Sequence, residues 1–166
     1  MVGKRRALDD GLWTISKELL VMADYDGSKS LDEIDFSTIL IWIRAAHLPM
    51  GLMNRATVMM IGDEIGEFLE LEYEGEGPVA GRFLRLKIRL DKRKTLRRGI
   101  MMGMGADKED RWCPIAYEFL PEFCYVCGLI GHVDRMCRKR LGPGEKAPFS
   151  KKLRYIPLKW RIGGDG

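Results

Sequence analysis

The sequence predicts an α+β fold, a small sheet covered by one main helix, followed by a short metal-stapled appendage. Segments rich in β-branched and aromatic residues, bounded by Gly, Pro and Asp, recur from residue 13 to residue 120, and one of them alternates with period two. Only residues 52–66 read as a substantial helix. Of the four cysteines, three fall within fourteen residues around a histidine, which is ligand spacing and not a disulfide framework.

Taken in order, a short helix is expected at residues 4–9 and strands at 13–25 and 37–46. The helix at 52–66 has Asn54 as its cap and Ala56, Met59, Met60 and Ile65 as its apolar face, with Gly62 weakening it and the methionines serving as core filler. Strands follow at 67–74, 81–91, 99–104 and 112–120. The strand at 81–91 is the clearest: in GRFLRLKIRLD, Leu84, Leu86, Ile88 and Leu90 alternate with Arg85, Lys87 and Arg89, giving one apolar face and one row of cations facing solvent. Such a row either protects an edge from aggregation or contacts nucleic acid; KRKTLRR at 92–98 extends it into a patch. The domains expected are residues 1–120, 121–140, and a basic linker and tail at 141–166.

With 166 residues, 46% hydrophobic and 31% charged, the chain has the size of one domain plus an appendage and a globular composition. No run approaches the roughly 18 apolar residues of a membrane span, and the start, MVGKRRALDDG, lacks a secretory apolar run. These features predict an intracellular protein, nuclear or cytoplasmic, with no membrane role. The net charge of +4 conceals a strong segregation: residues 18–78 carry three cations against thirteen anions, residues 79–106 nine against one, and residues 135–161 ten against one. Two basic segments of this strength point to a polyanionic partner. The acidic stretch is either a solvated face or a dock for the chain's own basic segments.

The strongest signal is FCYVCGLIGHVDRMC, in which Cys124, Cys127, His132 and Cys137 follow C-x2-C-x4-H-x4-C. Two cysteines three apart let one tight turn bring both thiolates to one ion, and the returning chain closes a tetrahedron with an imidazole and a third thiolate. A closed Cys3His shell leaves no place for water, so the expected zinc is structural and no Lewis-acid hydrolysis follows. Gly128 and Gly131 stand where a short turn needs positive φ or close backbone approach. A redox C-x-x-C lacks the βαβ context and would leave His132 and Cys137 as coincidences; haem attachment would need His at position 128; a zinc deaminase would need H-x-E where the chain has His47, Leu48 and Pro49. His47 itself has no visible catalytic partner and reads as a turn residue, and Cys113 as a buried free thiol.

This segment is similar to the CCHC zinc knuckle of retroviral and retroelement nucleocapsid proteins, matching at all four ligands and both glycines. In that family an aromatic after the first cysteine and an apolar residue after the histidine form a cleft that stacks an unpaired base, positions held here by Tyr125 and Val133. Tyr125 either stacks a base or packs on the zinc loop. Arg135, Arg138, Lys139 and Arg140 would contact phosphates. Upstream, the GLW at 11–13, ILIWIRAAHLP at 39–49, IGDEIGEF and YEFLPEFCYVCGLIGH resemble the plant domain of unknown function that precedes such a knuckle in proteins related to non-LTR retroelements. Members of that family carry a further strand and helix before the GLW-like segment, so the resemblance implies an N-terminally incomplete sheet. It supplies no reaction.

After the cysteines, GPGEKAPF has a linker composition, and KKLRYIPLKWRIGG interleaves cations with Tyr155 and Trp160. The expected function is zinc-dependent, non-enzymatic binding of single-stranded RNA or DNA. The runner-up is a protein-interaction or self-association module that uses the knuckle and the upstream sheet.

Overall fold

The period-two segment is the strand on which the sheet is built. The computed structural model describes residues 8, 12–15, 18–24, 26–72 and 83–156. An antiparallel pair of β1 (Trp13–Ile15) and β2 (Glu18–Leu20) precedes the main sheet. That sheet contains β3 (Thr38–Ala46), β4 (Glu67–Leu71), β5 (Phe83–Asp91), β6 (Gly99–Met102), β7 (Arg111–Glu118) and β8 (Arg154–Tyr155), and α1 (Arg55–Ile65) joins β3 to β4. The order is β4-β5-β3-β7-β6, antiparallel throughout, with β8 added parallel to β7. The fold is therefore α+β and mostly sheet.

Alternation places Leu84, Leu86, Ile88 and Leu90 of β5 beside Ile39, Ile41, Ile43 and Ala45 of β3 on one buried face, and Cys113, Ile115 and Tyr117 of β7 continue it. The helix packs on β4 and β5. It begins where the Asn54 side chain accepts the Thr57 amide at 3.0 Å, the capping expected of that residue.

The helical face differs from the sequence expectation. Thr57, Val58, Ile61, Gly62 and Ile65 are buried, whereas Ala56, Met59 and Met60 are exposed; only Ile65 was placed correctly, and these two methionines are not core filler. The reason is steric. A Cβ on Gly62 would lie 2.8 Å from the Cβ of Phe68, so the helix meets β4 at the one residue that allows the approach. Gly62→Ala would gain about 1 kcal/mol of helix propensity but cost about 1–3 kcal/mol of overpacking, and the second effect wins because Phe68 Cα, at 3.1 Å, belongs to a paired strand. Denaturant unfolding of that variant is expected to show a net loss of stability; an unchanged or raised midpoint would refute the packing argument.

In place of the expected strand at 13–25 there are two short antiparallel strands, β1 and β2, since two short strands carry the same composition as one long strand. The short helix at 4–9 lies, apart from Leu8, outside the described residues, as do residues 157–166 of the tail. His47 ends β3 with φ 59°, a turn residue as expected, and the buried Cys113 thiol is pushed above its ordinary value by burial.

The cation row of β5 is not the uniformly solvated face its alternation suggests: Arg89 is exposed, Arg85 partly buried and Lys87 buried. Arg85 donates to Glu118 (Nε to Oε1 at 2.8 Å) and pairs with Glu72 at 3.0 Å, Arg89 pairs with Glu67, and Lys87 is buried with its ammonium 5.8 Å from the Trp42 ring. Arg97 of the following loop pairs with Glu64 at 2.6 Å. Three carboxylates of the acidic segment, Glu64, Glu67 and Glu72, thus pair with the chain's own basic segment, while Asp26, Glu33 and Asp35 of the same segment stand in solvent.

Candidate metal centre and nucleic-acid interface

Residues 121–140 form a compact loop. Phe123 pairs with Ile130, the Cys124 amide donates to the Leu129 carbonyl at 2.9 Å, and the Gly128 amide donates to the Cys124 carbonyl at 2.9 Å. The turn between these bonds requires a left-handed residue, and Gly128 supplies it with φ 73°; Gly131, at φ 103°, redirects the chain into His132. A 3-10 turn at Asp134–Met136 then delivers Cys137.

One ligand atom from each of Cys124, Cys127, His132 and Cys137 lies within 4.8 Å of the others, and Cys127 Sγ is 3.3 Å from His132 Nε2. Bonds of about 2.0–2.3 Å to a tetrahedral ion place its ligand atoms roughly 3.5–3.8 Å apart, so the four groups fit zinc with shifts of no more than about 1 Å. The Val126 amide donates to Cys124 Sγ at 3.3 Å, a bond that favours the thiolate a metal requires. Burial pushes the Cys124 thiol up to about 11, while contact with His132 brings Cys137 down to about 7. A divalent cation has to displace these protons, so its binding releases protons to solvent.

Residues 90–139 match the family model described as Zinc knuckle. The chain carries a CCHC knuckle. The match also takes in the loop after β5, with β6 and β7, and no curated protein and no solved structure matches the chain.

The knuckle is anchored to the sheet by that loop. The Leu96 amide donates to the Gly128 carbonyl at 2.9 Å and the Thr95 hydroxyl to the Cys127 carbonyl at 3.1 Å. On the other side the Phe149 amide donates to the Tyr125 carbonyl at 3.1 Å, and its ring covers Gly128 so closely that a Cβ there would lie 2.5 Å away. Phe123 and Leu153 are part of the main core. Residues 142–147 are exposed, as a linker composition suggests, but from Phe149 the chain returns to the body and forms β8.

Tyr125 is half-buried, 5.1 Å from the Phe123 ring, and its amide donates to Asp134 Oδ1 at 2.6 Å. Together with Val133 it borders a cleft of about 570 Å³ that Phe119, Phe123, Arg154 and Ile156 also line. Arg135, Arg138 and Lys139 are exposed on the knuckle; Arg140 is exposed too but donates to the Cys137 carbonyl. Tyr125 and Val133 thus border one cleft, and Arg135, Arg138 and Lys139 are exposed elsewhere on the same loop, whereas Arg85, Lys87 and Arg89 lie on the sheet beside carboxylates and Trp42. Sequence reasoning missed Phe119, Arg154, Thr95 and Leu96, because main-chain anchoring and a wall contributed by distant strands leave no local signature. Among the described residues no helix is long and apolar enough to cross a membrane.

Proposed function

We propose that the protein is a zinc-dependent, non-enzymatic binder of single-stranded RNA or DNA, of retroelement-like origin, acting in a thiol-reducing intracellular compartment that suits three cysteine ligands. The observation that carries this reading is the half-exposed Tyr125 ring beside Val133 at the edge of a cleft, with Arg135, Arg138 and Lys139 around the same metal-stapled loop. An aromatic face stacks any base, and cations on a rigid loop neutralise its phosphates. The ions of β5 have no part in this footprint, since carboxylates of the chain already engage Arg85 and Arg89.

Tyr125→Ala is expected to weaken binding of a short single-stranded oligonucleotide by about 1–3 kcal/mol in fluorescence anisotropy. Log affinity should fall with log salt by roughly 0.7 per phosphate contact. An unchanged affinity in the variant refutes the stacking role, and a flat salt response favours a protein partner or self-association.

A further inference from the structure

The cleft beside Tyr125 is only half made by the knuckle. The rest of its lining comes from outside the knuckle, including Phe119 just after β7, Arg154 of β8, Ile156 just after it and Thr14 of β1. We propose that this is a composite site for two adjacent unpaired nucleotides, one base against Tyr125 and Val133 and the next against Phe119, an inference that rests on the nucleic-acid reading above.

Phe119 is the observation that carries it. Its φ is 53°, a left-handed conformation in which a bulky residue is an outlier, and its side chain is 39% exposed. Stability would favour Gly or Asn at such a turn, and solubility would favour a polar side chain. A strained backbone that holds an exposed aromatic at the mouth of a cleft is instead what a ligand clamp requires. The Phe119 amide donates to the Tyr155 carbonyl at 2.9 Å, so β8 fixes the turn.

Arg154 is fixed as well, with Nε donating to the Leu120 carbonyl at 2.6 Å and Nη2 to the Pro121 carbonyl at 3.0 Å. Its charge therefore stands at the wall with little side-chain freedom left to lose on binding. The charges also orient the ligand. Glu122 and Asp134 line the cleft and repel phosphate, while Arg135 follows Asp134 and the exposed Lys151 and Lys152 precede Arg154. In this site the bases point inward, where carboxylates accept their amino protons, and the sugar-phosphate chain runs outside the cleft toward Arg154 and the exposed cations that neighbour its lining residues in sequence. A cleft of about 570 Å³ lies within the usual range for ligand sites.

The test uses the zinc-loaded full chain and short single-stranded RNA and DNA oligonucleotides. Phe119→Asn removes the ring yet tolerates the left-handed backbone, and it is expected to weaken binding about fivefold or more, whereas Phe119→Trp retains affinity. In the unaltered protein, a 4-thiouridine oligonucleotide should photocrosslink to Phe119, a readout that does not depend on how a variant folds. If Phe119→Asn binds normally, or crosslinks form at Tyr125 but not at Phe119, the composite site is wrong and the knuckle reading survives. If neither Tyr125→Ala nor Phe119→Asn changes affinity, both fall.

Discussion

Replacing Cys124 with serine is expected to unfold the knuckle and to loosen the sheet edge that holds it. Zinc contributes on the order of 10–16 kcal/mol of apparent folding free energy in comparable small sites, while the loop's own core consists only of Cys124, Val126 and Cys137 with Cys127 and Leu141 against it. Hydrophobic burial on that scale cannot replace a lost ligand. The consequence extends further because the anchors run through the ligand loop: the Leu96 amide reaches the carbonyl of Gly128 and the Phe149 amide that of Tyr125. Amide hydrogen exchange should therefore show lost protection at Leu96 and Phe149 as well as at Cys124 and Gly128. Ile41 and Ile43, paired with β5 in the middle of the sheet, should stay protected. Retained protection at Leu96 and Phe149 in the variant would show that the anchors do not depend on the metal.

The second large effect is expected at Glu118, a carboxylate 3% exposed on β7. Its Oε1 accepts from Arg44 Nε at 2.6 Å and Arg85 Nε at 2.8 Å, and its Oε2 accepts from Arg85 Nη2 at 2.8 Å. Aromatic rings cover the cations: Arg44 lies 4.3 Å from the centre of Phe83 and 3.9 Å from that of Tyr155, and Arg85 lies 4.1 Å from that of Trp42. Glu118→Ala leaves two half-buried guanidinium groups without their shared partner, so a loss of about 3–5 kcal/mol is expected in denaturant unfolding. A loss below about 1 kcal/mol would mean that water already serves these arginines.

Glu118 also sets an acid limit. Burial by itself would raise its carboxyl, but the hydrogen bonds and charges of Arg85 and Arg44 outweigh burial and hold it below the ordinary value of 4.5. A carboxyl depressed in the folded state contributes stability that is fully present above the unfolded value and is lost as pH falls through the folded one. Stability should therefore decline below about pH 4.5, and the decline should be shallower in Glu118→Gln, which cannot titrate.

What was legible in the sequence follows from the range over which each constraint acts. The knuckle ligands are contiguous, and metal chemistry prescribes their spacing, so Cys124, Cys127, His132 and Cys137 could be named from thirteen steps of chain. The inner face of β5 was equally plain, because alternation is local. Its outer face was not, since the partner of Arg85 and Arg44 lies 33 and 74 residues away in sequence. Similarly, Met59 and Met60 looked like the buried face of α1 by hydrophobicity, and only the approach of Phe68 to Gly62 shows that the helix turns a smaller-residue face to the sheet. Phe119 gave no sign because its importance lies in a backbone angle and in a cleft that closes only when β8 returns beside β7.

The central claim, that zinc organises a surface for unpaired bases, is tested most directly by titrating zinc into metal-free protein in the presence of a fluorescent single-stranded oligonucleotide. The account predicts that affinity is absent under chelation, appears in step with one zinc per chain, and falls with added salt. Equal affinity under excess chelator and at stoichiometric zinc would contradict it.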